Sequence, residues 1–532
     1  MVLPMATEKV PHLTSFLDSW AEKTPDKAAL VWAFNAVTGG GARTTSWAEL
    51  RARVSRLAGS LGALGLMPGT NARLFVLDKN HSATVELLLA AAWAGVTCVV
   101  GNFRLAPDEI AWAINDSSAT VLFVGADLAE LAAKLRPSLT HVEQVICVDG
   151  PRDGLEALVA GGPAVERAAH APEDCVLQLY TSGTTGFPKG AMLTHRGLLA
   201  HSEAMVPLFR LDSTSVSLVP MPLFHVGGSS WALVSLLAGA TSVITREPTP
   251  RALLDAIAQH RVTHTFIVPA ILQGLLATPG LGEHDLSSLH AIAYGASPIS
   301  VPVLEATLKA FSCQFLQVYG MTEMSGVFSA LEDDAHRDAG HPERLASAGR
   351  VTRGVELRVV DPVSGLDVVP GTLGEFWVRS EQMMKGYWNQ PEATTAAFAA
   401  DGWLRTGDAG VLDAGGFLFI QDRIKDMVIS GGENVYPAEI ERVLQTHPGI
   451  ADVAVFGVPD ARWGESLRAA VVRQAGDATT PAELTAFCRA RLAGYKCPRH
   501  FDFIAALPRN ASGKVLKREL RAPFWEGQTR KL

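Results

Sequence analysis

At 532 residues the chain exceeds what one ordinary core holds, and a prior of one domain per ~150 residues suggests three or four compact units. Apolar residues make up 48% and charged residues 19%, which excludes a chain dominated by disorder. A formal net charge of -8 argues against a general nucleic-acid surface, so anionic small ligands would need local positive sites.

The first segment, "MVLPMATEKVPHL", lacks a charged region followed by an apolar one, so no signal peptide is expected. Next, "ARLFVL", "SATVELLLAAAWAG", "TCVV", "APDEIAWAINDS" and "ATVLFVG" alternate β-branched runs with amphipathic segments, the rhythm of βα units in a mainly parallel sheet. From Ser213 to Thr245 there is no charged residue, long enough on paper to span a bilayer. Pro220, Pro222, His225, Gly227 and Gly228 interrupt its first half, so the spacing predicts a strand, an irregular loop and a buried helix. The βα rhythm resumes in "TSVIT", "ALLDAIAQH", "THTFIV", "AILQGLLAT", "AIAYG" and "VLEATLKAF". Around Leu345 to Arg379, Gly and Pro punctuation with alternating side chains predicts antiparallel β, a small barrel or distorted sheet. Beyond a boundary near Gln421 to Lys425, "ADVAVFGVP", "LRAAVVR", "PAELTAFCRARLA" and "HFDFIAALP" suggest an α+β module. The expected class is α/β: a large domain over 1–422 of α/β subdomains plus the small barrel, then a small mobile α+β domain over 423–532. Six cysteines without a CxxC pair or secretory context read as reduced thiols in a cytosolic compartment.

One stretch carries chemistry on its face: "YTSGTTGFPKGAML", Tyr180 to Leu193. Residues 177–180 read as a strand end and Thr181 to Gly190 as a loop. Its glycines permit unusual backbone angles, its N–H groups and hydroxyls can surround phosphate oxygens, and Lys189 adds a charge. It is not a Walker loop, because Pro188 stands five after Gly183 and Gly190 follows Lys189. Taken alone, a polar surface loop explains it equally well. The wording closely resembles the phosphate-loop signature of the adenylate-forming superfamily: acyl-CoA synthetases, luciferases and peptide-synthetase adenylation domains. Further motifs follow in that family's order as far as Lys514, and "GNFRLAPDEIAWAINDSSATVLFV" is also similar to it.

The resemblance implies roles residue by residue. Thr181, Ser182, Gly183, Thr184, Thr185 and Lys189 would hold phosphates. In "PMPLFHVGG", His225 would line the acyl pocket with Val226 and Gly227, and move with the catalytic state; a lone histidine is otherwise usually a satisfied core residue. "YGASP" would place Gly295 beside the substrate and Ala296, Ser297 and Pro298 near adenine. In "QVYGMTEMSG", Tyr319 would pack on adenine, Gly320 and Met321 would border nucleotide and acid, Thr322 would bond phosphate and Glu323 would hold Mg2+, which favours hard oxygen ligands shared with phosphate. Asp408 would accept the ribose hydroxyls, a turn-capping Asp being the alternative. Arg423 would contact ribose, Lys425 would be the hinge, and Gly431 and Gly432 would border a thiol tunnel. Lys514, in "LPRNASGKVLKREL", would bridge carboxylate and α-phosphate as the main catalytic residue, while Lys517 and Arg518 read as solvated surface.

The implied reaction is ATP-dependent activation of a carboxylic acid as acyl-AMP, with Mg2+, followed by transfer to coenzyme A. "DRIKDMVISGGENVYPAEIE" resembles bacterial fatty-acyl-CoA synthetases and the feruloyl-CoA branch, which favours a fatty acid over an aryl or steroid-derived one. Long-chain members carry a gating Trp four residues after the pocket His. Here that position is Ser229, with Trp231 two further on, which puts a long acyl tunnel in doubt. Alternative readings pass the acyl group to an amine or a carrier protein, or make the chain a catalytically dead nucleotide-binding scaffold. No nucleic-acid partner is expected; a cytoplasmic location is, with peripheral membrane association and homodimerisation left open.

Overall fold

The computed structural model describes residues 11–33, 43–150, 154–181, 188–297, 299, 301–362, 364–430, 433–460, 462–509 and 515–526, without the side chains of residues 423, 425, 429, 433 and 434. By packing, the chain divides into two compact units: Met1–Leu345 with Arg350–Glu356 and Arg379–Gly402, and Ala346–Gly349 with Leu357–Val378 and Trp403–Leu532.

Among the described residues the first unit contains two sheets. The nine-stranded one runs parallel through Thr241–Thr245, Val216–Val219, His264–Ile267, Ala291–Gly295 and Gln314–Met321, then turns antiparallel at Gly326–Leu331. "TSVIT", "HTFI" and "AIAYG" are buried along their whole length, as strands covered on both faces must be. The charge-free stretch forms the predicted strand, loop and buried helix, the helix being Val226–Leu237. Among the described residues no helix is long and apolar enough to cross a membrane.

The seven-stranded sheet places Arg73–Leu77, Thr97–Val100, Val121–Val124 and Gln144–Cys147 parallel, with Cys175–Thr181 parallel to Thr97–Val100. Cys175–Thr181 then pairs antiparallel with Lys189–Thr194, and Thr181 opposes Lys189. The loop expected over Thr181 to Gly190 is therefore shorter. Lys189 and Gly190 already belong to the return strand, because the apolar Ala191–Leu193 run pulls its extension back to the hairpin mouth.

The second unit holds a four-stranded sheet of Glu356–Val360, Leu373–Arg379, Leu404–Leu412 and Leu418–Arg423, its last three strands antiparallel; the first two strands fall in the stretch expected to be antiparallel β, and the other two extend it. Its other sheet centres on the long pair Ile450–Asp460 and Gly464–Arg473, with Pro437–Gln445 and Pro481–Arg489 packed on it through Ile440, Leu444 and Leu484. Lys517 corrects the sequence reading: it lies 2.8 Å from Glu441 and its side chain is 15% exposed. Burial opposes its charge, but Glu441, Asp422 and Asp426 outweigh that and hold its pKa above the ordinary lysine value. Arg518 is exposed, as expected. All six cysteines are free.

Candidate active site

The hairpin that brackets the phosphate-type loop stands on a network of buried and half-buried side chains. The Tyr180 hydroxyl donates to Asp116 at 2.7 Å and accepts from Gln178 at 3.2 Å. Arg73 donates to Gln178 at 3.1 Å, and its guanidinium lies 3.3 Å from the centre of the Trp388 ring. Trp388 closes the circuit by donating its indole N–H to the Asp116 carbonyl at 2.8 Å. Burial pushes both the Asp116 carboxyl and the Tyr180 phenol upward, the latter reinforced by Asp116 itself.

Trp388 belongs to a segment that the sequence reading passed over, "KGYWNQPEAT", residues 385–394. Gly386 and Tyr387 add a short strand opposite Met192 and Ala191, and the Trp388 N–H donates to the Gly190 carbonyl at 2.8 Å. Just upstream, Gln382 donates to the carbonyls of Met324 and Val327 at 2.9 and 2.8 Å, and Met384 N–H donates to the Glu323 carbonyl at 2.8 Å. This strap thus ties the loop hairpin to the Glu323 turn. Gly386 sits at φ 146°, and a Cβ there would come 2.7 Å from Thr394, so only glycine fits. A glycine followed by two aromatics and a Pro-led helix start was the available signal.

Gly295 to Ser297 and Tyr319 to Glu323 lie at or just beyond the C-terminal ends of two parallel strands of the nine-stranded sheet, the side on which open α/β sheets meet ligands. Gly295 ends its strand opposite Val318, where a Cβ would stand 2.1 Å from the Val318 carbonyl oxygen. Exposed Ala296 follows in the left-handed region at φ 66°, and Ser297 is half-buried. Tyr319 is half-buried with its ring 4.6 Å from Phe328, and a bulge follows at Gly320, whose Cβ would stand 2.1 Å from the Gly326 carbonyl oxygen. Past half-buried Met321, Thr322 and Glu323 form a buried turn, each 8% exposed. The Tyr387 hydroxyl donates to Glu323 Oε1 at 2.7 Å, and Lys189 Nζ lies 5.1 Å from the Tyr387 ring centre.

His225 is half-buried at the start of the Val226–Leu237 helix, against Phe224, so it is not a closed-off core histidine. Val226 and Gly227 are likewise half-buried, and a Cβ on Gly227 would press on Phe266 at 2.9 Å. Ser229 lines an apolar cavity of about 10 Å³ with Val85, Leu88, Val100, Leu223 and Leu233, room for about one water. Trp231 is turned into the core, donating to the Leu218 carbonyl at 2.9 Å, so it is not a pocket gate.

In the second unit, Asp408 is 5% exposed and lies within a strand, not in a capping turn, in register with Arg423. Lys425 falls in the turn Ile424–Asp426. Ser182, Gly183, Thr184, Thr185, Pro298, Gly431, Gly432 and Lys514 lie outside the described residues.

A model of the AMP-binding enzyme family matches residues 17–388, and that of the AMP-binding enzyme C-terminal domain matches 439–514. The chain belongs to the AMP-binding enzyme family. It is an adenylate-forming acid ligase. This AMP-binding enzyme is 40% identical over 491 residues to a feruloyl-CoA synthase of Amycolatopsis sp, covering 92% of this chain and 96% of that one. It is 38% identical over 506 residues to the fatty acid–[acyl-carrier-protein] ligase ScoC of Streptomyces coeruleorubidus, covering 92% and 93%. Among solved structures, the amide bond synthetase McbA of Marinactinospora thermotolerans superposes with a TM-score of 0.85 at 31% identity, covering 97% of this chain and all of that one.

Proposed function

We propose that this AMP-binding enzyme activates a fatty acid as acyl-AMP, releasing pyrophosphate, and then transfers the acyl group to coenzyme A. The observation that carries the first half is the meeting of Lys189, Tyr387 and Glu323: an ammonium and a buried carboxylate, joined through one ring, beside a hairpin mouth rich in hydroxyls and glycines. A carboxylate cannot expel oxide, whereas an acyl-AMP can expel AMP. Negative charge on the phosphoryl oxygens rises as the acid attacks, so fixed donors and cations lower the barrier by position and electrostatics.

In this reading Thr181, Ser182, Gly183, Thr184, Thr185 and Lys189 cradle the β- and γ-phosphates, and Thr322 bonds the α-phosphate. Tyr319, Gly320 and Ala296 to Pro298 hold adenine, and Asp408 and Arg423 hold ribose. His225, Val226, Gly227, Gly295, Gly320 and Met321 border the acid. Glu323 fits Mg2+: it is a nearly buried carboxylate, and among the described residues no cluster of three metal-ligating side chains surrounds it, which suits a cation that shares phosphate oxygens. Bound there, Mg2+ would neutralise phosphoryl charge. Lys514 bridges acid and α-phosphate in the first step and then withdraws as residues 423–532 turn about Lys425, opening a path for pantetheine past Gly431 and Gly432.

The names of the relatives support a second acceptor. ScoC is a carrier-protein ligase and McbA an amide synthetase, so transfer to a carrier thiol or an amine competes with transfer to coenzyme A. The test is acid-dependent pyrophosphate release over aliphatic and aryl acids, followed by product analysis with coenzyme A, acyl-carrier protein or an amine. Acyl-AMP that forms but never reacts with coenzyme A overturns the proposed second step. Lys514→Ala should abolish adenylation while sparing thioester formation from supplied acyl-AMP, and equal loss of both would refute that division.

A further inference from the structure

We propose that Tyr387 is a positioning residue for the metal–nucleotide step, holding the Glu323 carboxylate in place and linking it to Lys189; the proposal rests on the reading of Glu323 as the Mg2+-binding carboxylate. Register sets this up. Tyr387 opposes Ala191 on the antiparallel return strand, so Lys189, two residues earlier, is its diagonal neighbour on the same face. The ammonium accordingly sits 5.1 Å from the ring centre while the hydroxyl reaches the other way to Glu323 Oε1 at 2.7 Å. One aromatic ring therefore spans the two opposite charges.

The hydrogen bond constrains Glu323 in a way that its own backbone cannot. Among the described residues, Tyr387 supplies the one side-chain hydrogen bond made to this carboxylate. A phenol has a single proton to give, so it occupies one lone pair on Oε1, restrains the rotamer and leaves the remaining lone pairs of the carboxylate for a cation. Carboxylates that bind metals are commonly fixed by such a partner, and losing it weakens metal binding roughly 10–100-fold. Tyr387 is itself held: its N–H donates to Thr394 Oγ1 at 2.9 Å, and the strap carrying it is hydrogen-bonded to both Glu323 and the Lys189–Thr194 strand. A side chain retained only to fill space would need the ring; this one also aims its hydroxyl at a carboxylate.

The test compares full-length wild type, Tyr387→Phe and Glu323→Gln. Two readouts are needed: uptake of Mn2+ in the presence of ATP without acid, followed by electron paramagnetic resonance of free Mn2+, and acid-dependent pyrophosphate release as a function of Mg2+. Tyr387→Phe keeps the ring beside Lys189 and loses only the hydroxyl. It should weaken Mn2+ uptake about tenfold and raise the Mg2+ needed for half-maximal rate by a similar factor. The rate should recover at saturating Mg2+ and the unfolding midpoint should stay put. Glu323→Gln should lose Mn2+ uptake outright. Wild-type Mn2+ affinity in Tyr387→Phe, with Glu323→Gln impaired, overturns the positioning role and leaves the reading of Glu323 intact. A rate lowered equally at every Mg2+ concentration, with a lower unfolding midpoint, assigns Tyr387 a structural role and also overturns it. Undiminished Mn2+ uptake in Glu323→Gln removes the reading of Glu323 and the proposal with it.

Discussion

The two sheets of the first unit mount their candidate site residues by different means. At the seven-stranded sheet, the loop hairpin rests on side chains: Arg73, Asp116, Gln178, Tyr180 and Trp388 bond one another in a circuit. At the nine-stranded sheet, Tyr319 to Glu323 are aimed by the backbone: glycines at positions where a Cβ would collide with a carbonyl, a bulge, and left-handed residues at Ala296 and Ser325. A side-chain circuit loses one bond at a time, whereas a glycine whose added Cβ would stand 2.1 Å from a carbonyl oxygen leaves no room for a side chain. Gly320→Ala should therefore have the largest effect. Its methyl would force apart the strands that carry Tyr319 and Gly326, costing ~2–3 kcal/mol of stability. A shift of an ångström at Glu323 would lower adenylation about 100-fold. Denaturant unfolding and pyrophosphate release measure both. A near-native variant would show that the edge is more compliant than the contact implies.

Titration offers a second way to separate the edges. His201 lies beneath the nine-stranded edge, accepting from the Val327 N–H at 3.0 Å, and burial lowers its pKa to about 3. Two further buried histidines belong to the loop-bearing sheet's surroundings: His195 and His12 lie 4.4 Å apart beside His170, and burial together with these neighbours, and Arg167 for His12, lowers them to about 3 and about 4. In the unfolded chain each titrates near 6.5, so between that value and the folded pKa the unfolded state binds more protons. Stability is full above pH 6.5 and declines as pH falls, by about 2 kcal/mol per histidine at pH 5. His201→Gln should flatten part of this slope while the remainder persists, and an unchanged slope would show that His201 does not titrate on unfolding.

Within the side-chain circuit, Trp388→Leu removes the stack with Arg73 and the bond to Asp116. It should cost about 1–2 kcal/mol and act mainly on KM for ATP, because the loop stays attached through the backbone pairing of Thr181 with Lys189. A fall in kcat alone would show that the circuit serves the chemistry and not the mounting of the loop.

Local patterning carried most of what was legible in the sequence. The βα rhythm, the alternating Gly- and Pro-rich strands and the helix after His225 all follow from periodicity within a few residues. The strap escaped because its meaning is nonlocal: Tyr387 has no evident role until Ala191 is known to oppose it and Glu323 to face it. Lys517 was misread for the same reason. In a stretch with Lys514 and Arg518 it resembles solvated surface, but its acidic partners Glu441, Asp422 and Asp426 come from distant segments. Spacing also stretched the loop too far, since Pro188 and Gly190 on either side of Lys189 read as loop although Lys189 begins a strand.

The cavity beside Ser229 is bordered by elements of both sheets, next to the helix that His225 opens. Ser229 and Leu233 come from the helix after His225, Val100 ends a strand of the seven-stranded sheet, and Val85 and Leu88 lie on the helix Ser82–Ala94. With about 10 Å³ of space and Trp231 turned into the core, the apolar wall would end an acyl chain that reached this far. Val100→Ala removes two methyl groups from that wall, and a pocket discriminates one methylene by roughly 10–200-fold at most. The expected result is a shift of about tenfold in relative kcat/KM toward longer acids, with total adenylation little changed. An unaltered chain-length profile would place the end of the acyl chain elsewhere, along the half-buried face of His225 and Val226.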